Sequence, residues 1–284
     1  MTVSGQHQTK GKGNMPSNQL GSLFHYTDLN ALKSILDKGE LWLSHVHFMN
    51  DHSEFDFCLK IIREGLRRKV EEYAGAEFEG FKFVDAISEI PVYVSSFCIE
   101  SDLLSQWRAY CPSNGGYALE FDFDNIGQQV NPLADTVFQI CCYAEEVQKA
   151  ELERKITEIF EAMLKIMDGR QSLMTSYQQI CESLILSLQL KDKGFREERE
   201  VRLISIAKNK TPSFRTKGSI LIPYYAFPFD VNAIKRIVIG PMHESELAQR
   251  GLEMYLNQLC ADESHPLKTE PEIVVSAIPL RRIG

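Results

Sequence analysis

Apolar and polar residues alternate along this chain with two different periods. Residues 23–44, LFHYTDLNALKSILDKGELWLS, begin and end with short apolar runs, and between them the apolar residues recur at helical spacing. Thr27 or Asp28 can cap such a helix, and Gly39 is expected to end it. The segment therefore predicts a strand, a helix and a second strand.

The rest of the chain shows the same two patterns. NDHSEF opens a predicted helix that continues to Val70, with Asp51 and Glu54 in capping-box spacing. Further helices are predicted in DLLSQWRAY and at about 243–260. Runs rich in β-branched and aromatic residues predict the strands PVYVSSFC, YALEFD, VFQICCY, EVRLISI, SILIPYYA, IKRIVIGP and EIVVSAI.

The predicted strands lie in both halves of the chain and do not alternate regularly with helices, which argues against a doubly wound parallel sheet. Residues 145–191 resemble two helices broken near DGR. We predict a single α+β domain over residues 21–284, with a mixed or largely antiparallel central sheet and a helical insertion at about 145–191. Residues 1–20 are polar and Gly-rich, so we expect a disordered tail and not a secretion signal.

Composition narrows the functional classes. The 284 residues include 31 Lys and Arg against 39 Asp and Glu, a net charge of −8. This charge argues against broad nonspecific binding to nucleic acid or an anionic membrane but leaves room for a local basic groove. An uninterrupted apolar run of about 18 residues is missing, so no membrane span is expected. Seven scattered cysteines without a CxxC motif predict reduced thiols in the cytoplasm and no zinc site.

The His25–Tyr26–Thr27 triplet stands where the first strand meets the first helix. One interpretation is a helix cap beside two packed rings. The other is the floor of a pocket, in which His25 holds a ligand, Tyr26 forms a wall and Thr27 caps the helix. The sequence alone leaves both open.

The segment GFREEREVRLISI brings acidic and basic residues to the start of a predicted strand. If the chain is extended here, Glu198, Glu200 and Arg202 project from one face. They could form a solvated charge ladder that stabilises little. Alternatively, a carboxylate kept ionised by the arginine could orient a sugar hydroxyl or act as a general base.

Two further groups could carry chemistry. Ser95 and Ser96 interrupt an apolar strand, and a buried hydroxyl needs a partner or a cavity. Trp107, Arg108 and Tyr110 offer aromatic faces and a guanidinium suited to an anionic aromatic ligand, although Trp107 also fits a core position. A third group contains His45, His47 and His52 with Asp51 and Glu54 nearby; we expect surface polar residues there, and no metal site.

In order along the chain, HYT, FMNDHSEF, SSFC, LLSQWRAYCPSNGGYALEFD and EEREVRLI resemble the bacterial family known as domain of unknown function 2971. The likeness covers roughly residues 23–240. His52 replaces the proline usual in that family, whereas Trp107–Tyr110 and Gly116–Phe121 fit its pattern well. The family name implies no activity.

The opening HYT…L..IL..G.L is also similar to the first strand and helix of ADP-ribosyltransferase-like proteins. That resemblance implies that His25 holds the ribose of NAD, that Ser95 or Ser96 lies near the nicotinamide, and that Glu200, with Glu198 beside it, contacts the reacting ribose. Tyr26, Trp107 or Arg108 would then stack on the ligand or contact its phosphates.

The expectation is therefore an NAD-consuming, ADP-ribosyltransferase-like enzyme in the cytoplasm, of the kind found among bacterial toxins and phage-defence effectors. Its acceptor could be a nucleic acid, a protein or a small molecule. Its catalytic residues would be Glu200, Glu198 and His25, and NAD would be bound by the residues His25, Tyr26, Ser95, Ser96, Trp107, Arg108, Tyr110 and Arg202. The alternative is a non-catalytic module that uses the same pocket to bind a nucleotide or a partner.

Overall fold

The computed structural model describes residues 21–49, 52–74, 90–111, 115–130, 136–167, 173–206 and 211–279. The predicted tail at 1–20 and the predicted break at 168–170 lie outside the described residues, as does Asp51 of the predicted capping box.

One mixed sheet runs through the described parts of the chain. Its strands are β1 (Ser22–Thr27), β2 (Glu40–His45), β3 (Val92–Cys98), β4 (Tyr117–Asp122), β5 (Thr136–Ile140), β6 (Glu200–Ile206), β7 (Ser213–Lys217), β8 (Ile220–Pro228), β9 (Ile234–Ile239) and β10 (Glu272–Val275). Their order is β10-β9-β4-β1-β3-β2-β8-β7, and β6 pairs with both β3 and β5. The β9–β10 pair is parallel, and the other strand pairs in the described part of the sheet are antiparallel. The predicted α+β fold with a largely antiparallel sheet is confirmed.

The helices cover both faces of this sheet. They are α1 (Leu29–Lys38), α2 (His52–Ala74), α3 (Leu104–Tyr110), α4 (Phe123–Gln128), α5 (Glu145–Met167), α6 (Leu173–Gln189) and α7 (Ser245–Ala261), with short 3₁₀ segments at Val46–Phe48, Lys193–Glu198 and Val231–Ala233. The two helices predicted between residues 145 and 191 are therefore present. None of the described helices is long and apolar enough to cross a lipid bilayer.

Strand alternation divides the core into layers. In β6, Val201 and Leu203 join the apolar cluster that α1 and α7 cover, whereas Ile204 and Ile206 join the cluster that α2, α5 and α6 cover. Successive side chains of a strand point to opposite faces, so these two clusters lie on opposite sides of the sheet. A third, smaller cluster packs α3 through Trp107 against β1, β3, β4 and β9. The predicted insertion is thus a helical layer on one face of the sheet.

Helix α1 shows how local chemistry sets the geometry near the first strand. Asp28 accepts a hydrogen bond from the backbone N–H of Ala31 at 2.8 Å, and Gly39 ends the helix with a φ of 62°. Glycine adopts this left-handed conformation without the steric cost that a Cβ imposes. The interpretation of Thr27 as the helix cap is wrong, because the carboxylate of Asp28 performs that role.

Strands β1 and β2 share one edge of β3 and then separate. Along its other edge β3 pairs with β6 over its full length, from Val92 to Cys98. On the shared edge β1 meets β3 at Cys98, whereas β2 meets it at Tyr93 and Val94. Residues 95–97 of β3 therefore face a gap between two diverging strands, and this gap positions the candidate site.

Candidate functional site

A cleft of about 680 Å³ opens at the divergence of β1 and β2. Its walls come from β1, the start of α1, β2, β3, α3, the segment before β6, and β7. Residues that line it include His25, Tyr26, Asp28, Glu40, Trp42, Ser44, Phe48, Ser95, Ser96, Tyr110, Lys191, Phe195, Glu198, Arg215 and Lys217. This volume lies in the usual range of small-molecule sites.

His25 occupies the gap between the diverging strands. Its Nδ1 lies 3.0 Å from the backbone carbonyl oxygen of Ser96. A carbonyl oxygen can only accept, so Nδ1 carries the proton and Nε2 of the neutral ring is an acceptor. Burial lowers the pKa of His25, and the nearby charge of Arg215 lowers it further, against the hydrogen bond to Ser96. The cleft therefore contains a neutral imidazole with a fixed tautomer.

Arg215 reaches the cleft from β7. Its Nη2 donates to Oγ of Ser44 on β2 at 2.7 Å. Its Nε is buried and makes no hydrogen bond within the described part of the chain. Burial lowers the pKa of this guanidinium, with Asp28 and Tyr224 acting in the opposite direction. A buried donor without an acceptor is unfavourable, so the cleft offers a ligand an unfilled hydrogen bond.

Aromatic side chains form much of the remaining wall. Trp42 stacks on Tyr224 with ring centroids 4.4 Å apart and an interplanar angle of 27°. Phe48, Tyr110 and Phe195 also line the cleft and are each more than a third exposed. Flat aromatic faces beside a guanidinium suit a ligand with a planar ring and a negative charge.

Tyr26 forms part of the wall, and its hydroxyl group is used within the protein. The hydroxyl donates to the carbonyl of Glu100 at 2.9 Å and accepts from the N–H of Leu103 at 3.1 Å. Its ring meets Trp107 edge to face at 4.6 Å. Burial raises the pKa of Tyr26 well above its usual range. The residue therefore shapes the cleft and stays protonated.

Glu200 lies beside the cleft but outside its lining. Arg202 binds the carboxylate through Nε and Nη2, both at 3.0 Å, and Lys191 Nζ lies 2.7 Å from it. The side chains of Glu200 and Arg202 are each 3% exposed. Burial alone would raise the pKa, but Arg202 and Lys191 outweigh it and lower the pKa of Glu200 to about 2. Both carboxylate oxygens are thus engaged by cations within the protein.

Glu198 is the acidic residue of this segment that the cleft exposes. The segment is not extended as expected: a 3₁₀ helix ends at Glu198, and Arg199 takes a left-handed conformation with φ of 44° before β6 begins at Glu200. Lys191 Nζ lies 2.5 Å from Glu198 and also binds Glu200. One buried lysine therefore joins the two glutamates that strand alternation was expected to align.

The predicted site residues separate into two groups. The cleft is lined by His25, Tyr26, Ser95, Ser96, Tyr110 and Glu198, whereas Glu200, Arg202, Trp107 and Arg108 lie outside it. Trp107 is buried, and its Nε1 donates to Asp102 at 2.7 Å, which supports the core interpretation of this residue. Arg108 is exposed to solvent.

Sequence analysis missed Arg215, Ser44 and Trp42. Arg215 was missed because β7 was not predicted. A signal for it exists: Gly218–Ser219 joins β7 to β8 as a two-residue connection, with Lys217 paired to Ile220. A Gly-Ser pair between two strand-like runs is typical of a tight hairpin.

The histidine group supplies no metal site among the described residues. The rings of His45 and His47 lie 5.2 Å apart, and His47 Nδ1 is 3.6 Å from Asp56. No cluster of three or more His, Cys, Asp or Glu residues is placed to hold a metal ion in the parts of the chain that the structure describes. Asp51 and the side chains of His52 and Glu54 lie outside that description.

Comparison with known proteins gives a family match over part of the chain. Residues 106–203 match the family described as "Protein of unknown function (DUF2971)". This region runs from α3 to β6 and contains Trp107–Tyr110, Gly116–Phe121 and the charged segment around Glu200. The match confirms the family resemblance noted from these motifs. No curated protein and no solved structure matches the chain.

Proposed function

We propose that this chain, which matches the domain of unknown function 2971 family over residues 106–203, binds a nucleotide in the cleft and consumes NAD as an ADP-ribosyltransferase-like enzyme. One observation carries the proposal: His25, Ser96, Tyr110 and Glu198 come from distant parts of the sequence and line the same cleft. A nucleotide needs flat walls for its base and polar groups for its sugar and phosphates, and this cleft has both.

The proposed reaction is glycosyl transfer from NAD. The bond between nicotinamide nitrogen and ribose C1′ breaks, and its electron pair leaves with nicotinamide. The acceptor then forms a bond to C1′ and releases a proton. Because the ribose develops positive charge, a carboxylate beside it stabilises the transition state. We assign this role to Glu198, since Glu198 lines the cleft and Glu200 is fully engaged by Arg202 and Lys191.

His25 would position the ribose. The Ser96 carbonyl fixes the proton on Nδ1, so Nε2 can accept a hydrogen bond from a ribose hydroxyl. The proposal extends to a cytoplasmic location, where NAD is available, and to a role as a bacterial toxin or phage-defence effector. The acceptor belongs to one of three classes: nucleic acid, protein or small molecule.

The test measures released nicotinamide. Purified protein is incubated with NAD, and nicotinamide is quantified by chromatography. We expect release by the wild type and a loss of at least about hundredfold in Glu198→Gln, because the carboxylate that stabilises the oxocarbenium ion is gone. Glu197→Gln is the matched control: Glu197 is the neighbouring glutamate and is exposed outside the cleft, so release should be unchanged.

A non-catalytic nucleotide-binding module is the second candidate, and one contact favours it. Lys191 lies 2.5 Å from Glu198 and neutralises much of its charge. Under this alternative, calorimetry detects NAD binding while no nicotinamide is released. A wild-type protein that binds neither NAD nor ADP nor adenosine would contradict both candidates.

A further inference from the structure

Arg215 lines the cleft and has a buried hydrogen-bond donor that is available to a ligand. Its Nη2 donates to Ser44 Oγ at 2.7 Å, which restrains the guanidinium. Its Nε is buried without a hydrogen-bond partner in the described residues. Leaving a buried charged donor unpaired is unfavourable, so a ligand acceptor that reaches Nε would gain a hydrogen bond there.

No carboxylate of the described residues forms an ion pair with Arg215. The negative charge of Asp28 acts against the burial that lowers the pKa of Arg215, but Oδ1 of Asp28 accepts the hydrogen bond from Ala31 that caps α1. Lys191 and Glu198, at another part of the lining, are paired with each other. The guanidinium is therefore a positive charge that no carboxylate of the described residues neutralises by an ion pair.

From this geometry we propose that Arg215 is the anion-binding residue of the cleft and that the ligand it selects carries a phosphate or diphosphate group. The inference rests on the proposed function, since it names the part of the nucleotide that the cleft recognises. A phosphoryl group has several acceptor oxygens and can accept from Nε and a neighbouring N–H of the same guanidinium. The aromatic walls, including Trp42, which stacks on Tyr224, would hold the base of the same molecule.

The strand that carries Arg215 explains how this subsite is built. β7 lies at the end of the sheet order and pairs with β8, which pairs with β2. Arg215 nevertheless reaches Ser44 on β2, so its side chain extends back across β8 toward the gap occupied by His25. The neutral form of His25 is compatible with this position, because a second positive charge beside the guanidinium would be repelled.

Calorimetric titration of the full chain with ADP, adenosine and inorganic diphosphate tests the inference. We expect Arg215→Gln to weaken ADP binding at least about tenfold, the size of a lost charge-assisted hydrogen bond, and to change adenosine binding less than about twofold. Arg215→Lys keeps the charge but not the planar fork, so its affinity for ADP should lie between those of the wild type and Arg215→Gln.

Two further variants serve as controls. Asp28→Asn removes a negative charge that acts on Arg215 and keeps a good N-cap residue, so it should strengthen ADP binding about two- to threefold. Arg250→Gln removes an exposed arginine of α7, far from the lining residues in sequence, and should leave binding unchanged. A thermal melt of each variant establishes that it is folded.

The outcomes separate this inference from the proposed function. If folded Arg215→Gln binds ADP as the wild type does, or if the wild type binds adenosine but not ADP, the inference is overturned. If diphosphate binds in an Arg215-dependent manner but NAD, ADP and adenosine do not, the anion subsite stands and the nucleotide function fails. If the wild type binds none of these probes, both are overturned.

Discussion

Two polar clusters of this protein each contain an arginine and differ in whether the hydrogen bonds of that arginine are filled. The closed cluster consists of Lys191, Glu198, Glu200 and Arg202, in which each charge meets an opposite charge within the protein. The open cluster consists of His25, Ser44 and Arg215, in which the buried Nε of Arg215 has no acceptor. The closed cluster contributes to stability, and the open cluster presents an unpaired hydrogen-bond donor to the cleft.

The difference shows why charge alone is a poor guide to a functional site. Buried ion pairs that are fully hydrogen-bonded mainly avoid the penalty of unpaired burial. A group left unsatisfied lowers stability until a ligand arrives, which is the usual compromise at binding sites. Glu200 and Arg202 of the closed cluster, which lie outside the cleft lining, should therefore control stability, whereas the open cluster should control affinity.

The largest expected effect is on the closed cluster. Arg202→Leu should lower the free energy of unfolding by about 3–5 kcal/mol, because it leaves the buried Glu200 with one cation fewer. Arg202 also donates to the carbonyl of Leu188 at 2.8 Å, which would lose that partner. Urea unfolding followed by circular dichroism measures the change. A loss below about 1 kcal/mol would show that the closed cluster contributes little to stability.

The pH dependence of stability tests the same cluster without a change in packing. The pKa of Glu200 is lowered from 4.5 to about 2 in the folded protein. The ionised Glu200 contributes its full stabilisation to the free energy of unfolding above pH 4.5. This stabilisation is lost as the pH falls from 4.5 toward 2, because the unfolded chain binds the proton first. The difference corresponds to roughly 3 kcal/mol. The free energy of unfolding, measured across this pH window, should depend less on pH in Glu200→Gln than in the wild type. Equal slopes against pH in the two proteins would contradict the lowered pKa of Glu200.

The smallest expected effect on stability is at the open cluster. Arg215→Gln should change the free energy of unfolding by less than about 1 kcal/mol, and an increase is compatible with the removal of a desolvated charge. The same urea titration, applied to Arg215→Gln and Arg202→Leu, compares the stability lost when each arginine is replaced. A loss as large as that of Arg202→Leu would erase the distinction between the two clusters.

Most of the secondary structure followed from local pattern. The strand at Glu200–Ile206, the helix at Leu29–Lys38 and the helices between 145 and 191 were all predicted, because hydrophobic period and capping residues act over a few positions. The edge strand that carries Arg215 was missed, since its exposed residues lack an apolar face.

The candidate site was predicted only in part, for a related reason. His25, Ser96, Tyr110 and Glu198 were recognised by residue type and motif, and the fold brings them to one cleft. Glu200 was expected to be the reactive carboxylate, but its two cationic partners occupy it. One of them, Lys191, lies outside the motif that contains Glu200, so no local pattern indicated that contact.

The sequence by itself determined the α+β class, most strands and helices, and the residue types that could carry chemistry, because these depend on neighbours within a few positions. The tertiary structure decided which polar groups are satisfied and which are open. That outcome depends on contacts between distant segments: β1 and β2 diverge from β3, Lys191 reaches Glu200, and Arg215 reaches Ser44. Hydrogen bonds between such segments form only when the whole sheet is assembled.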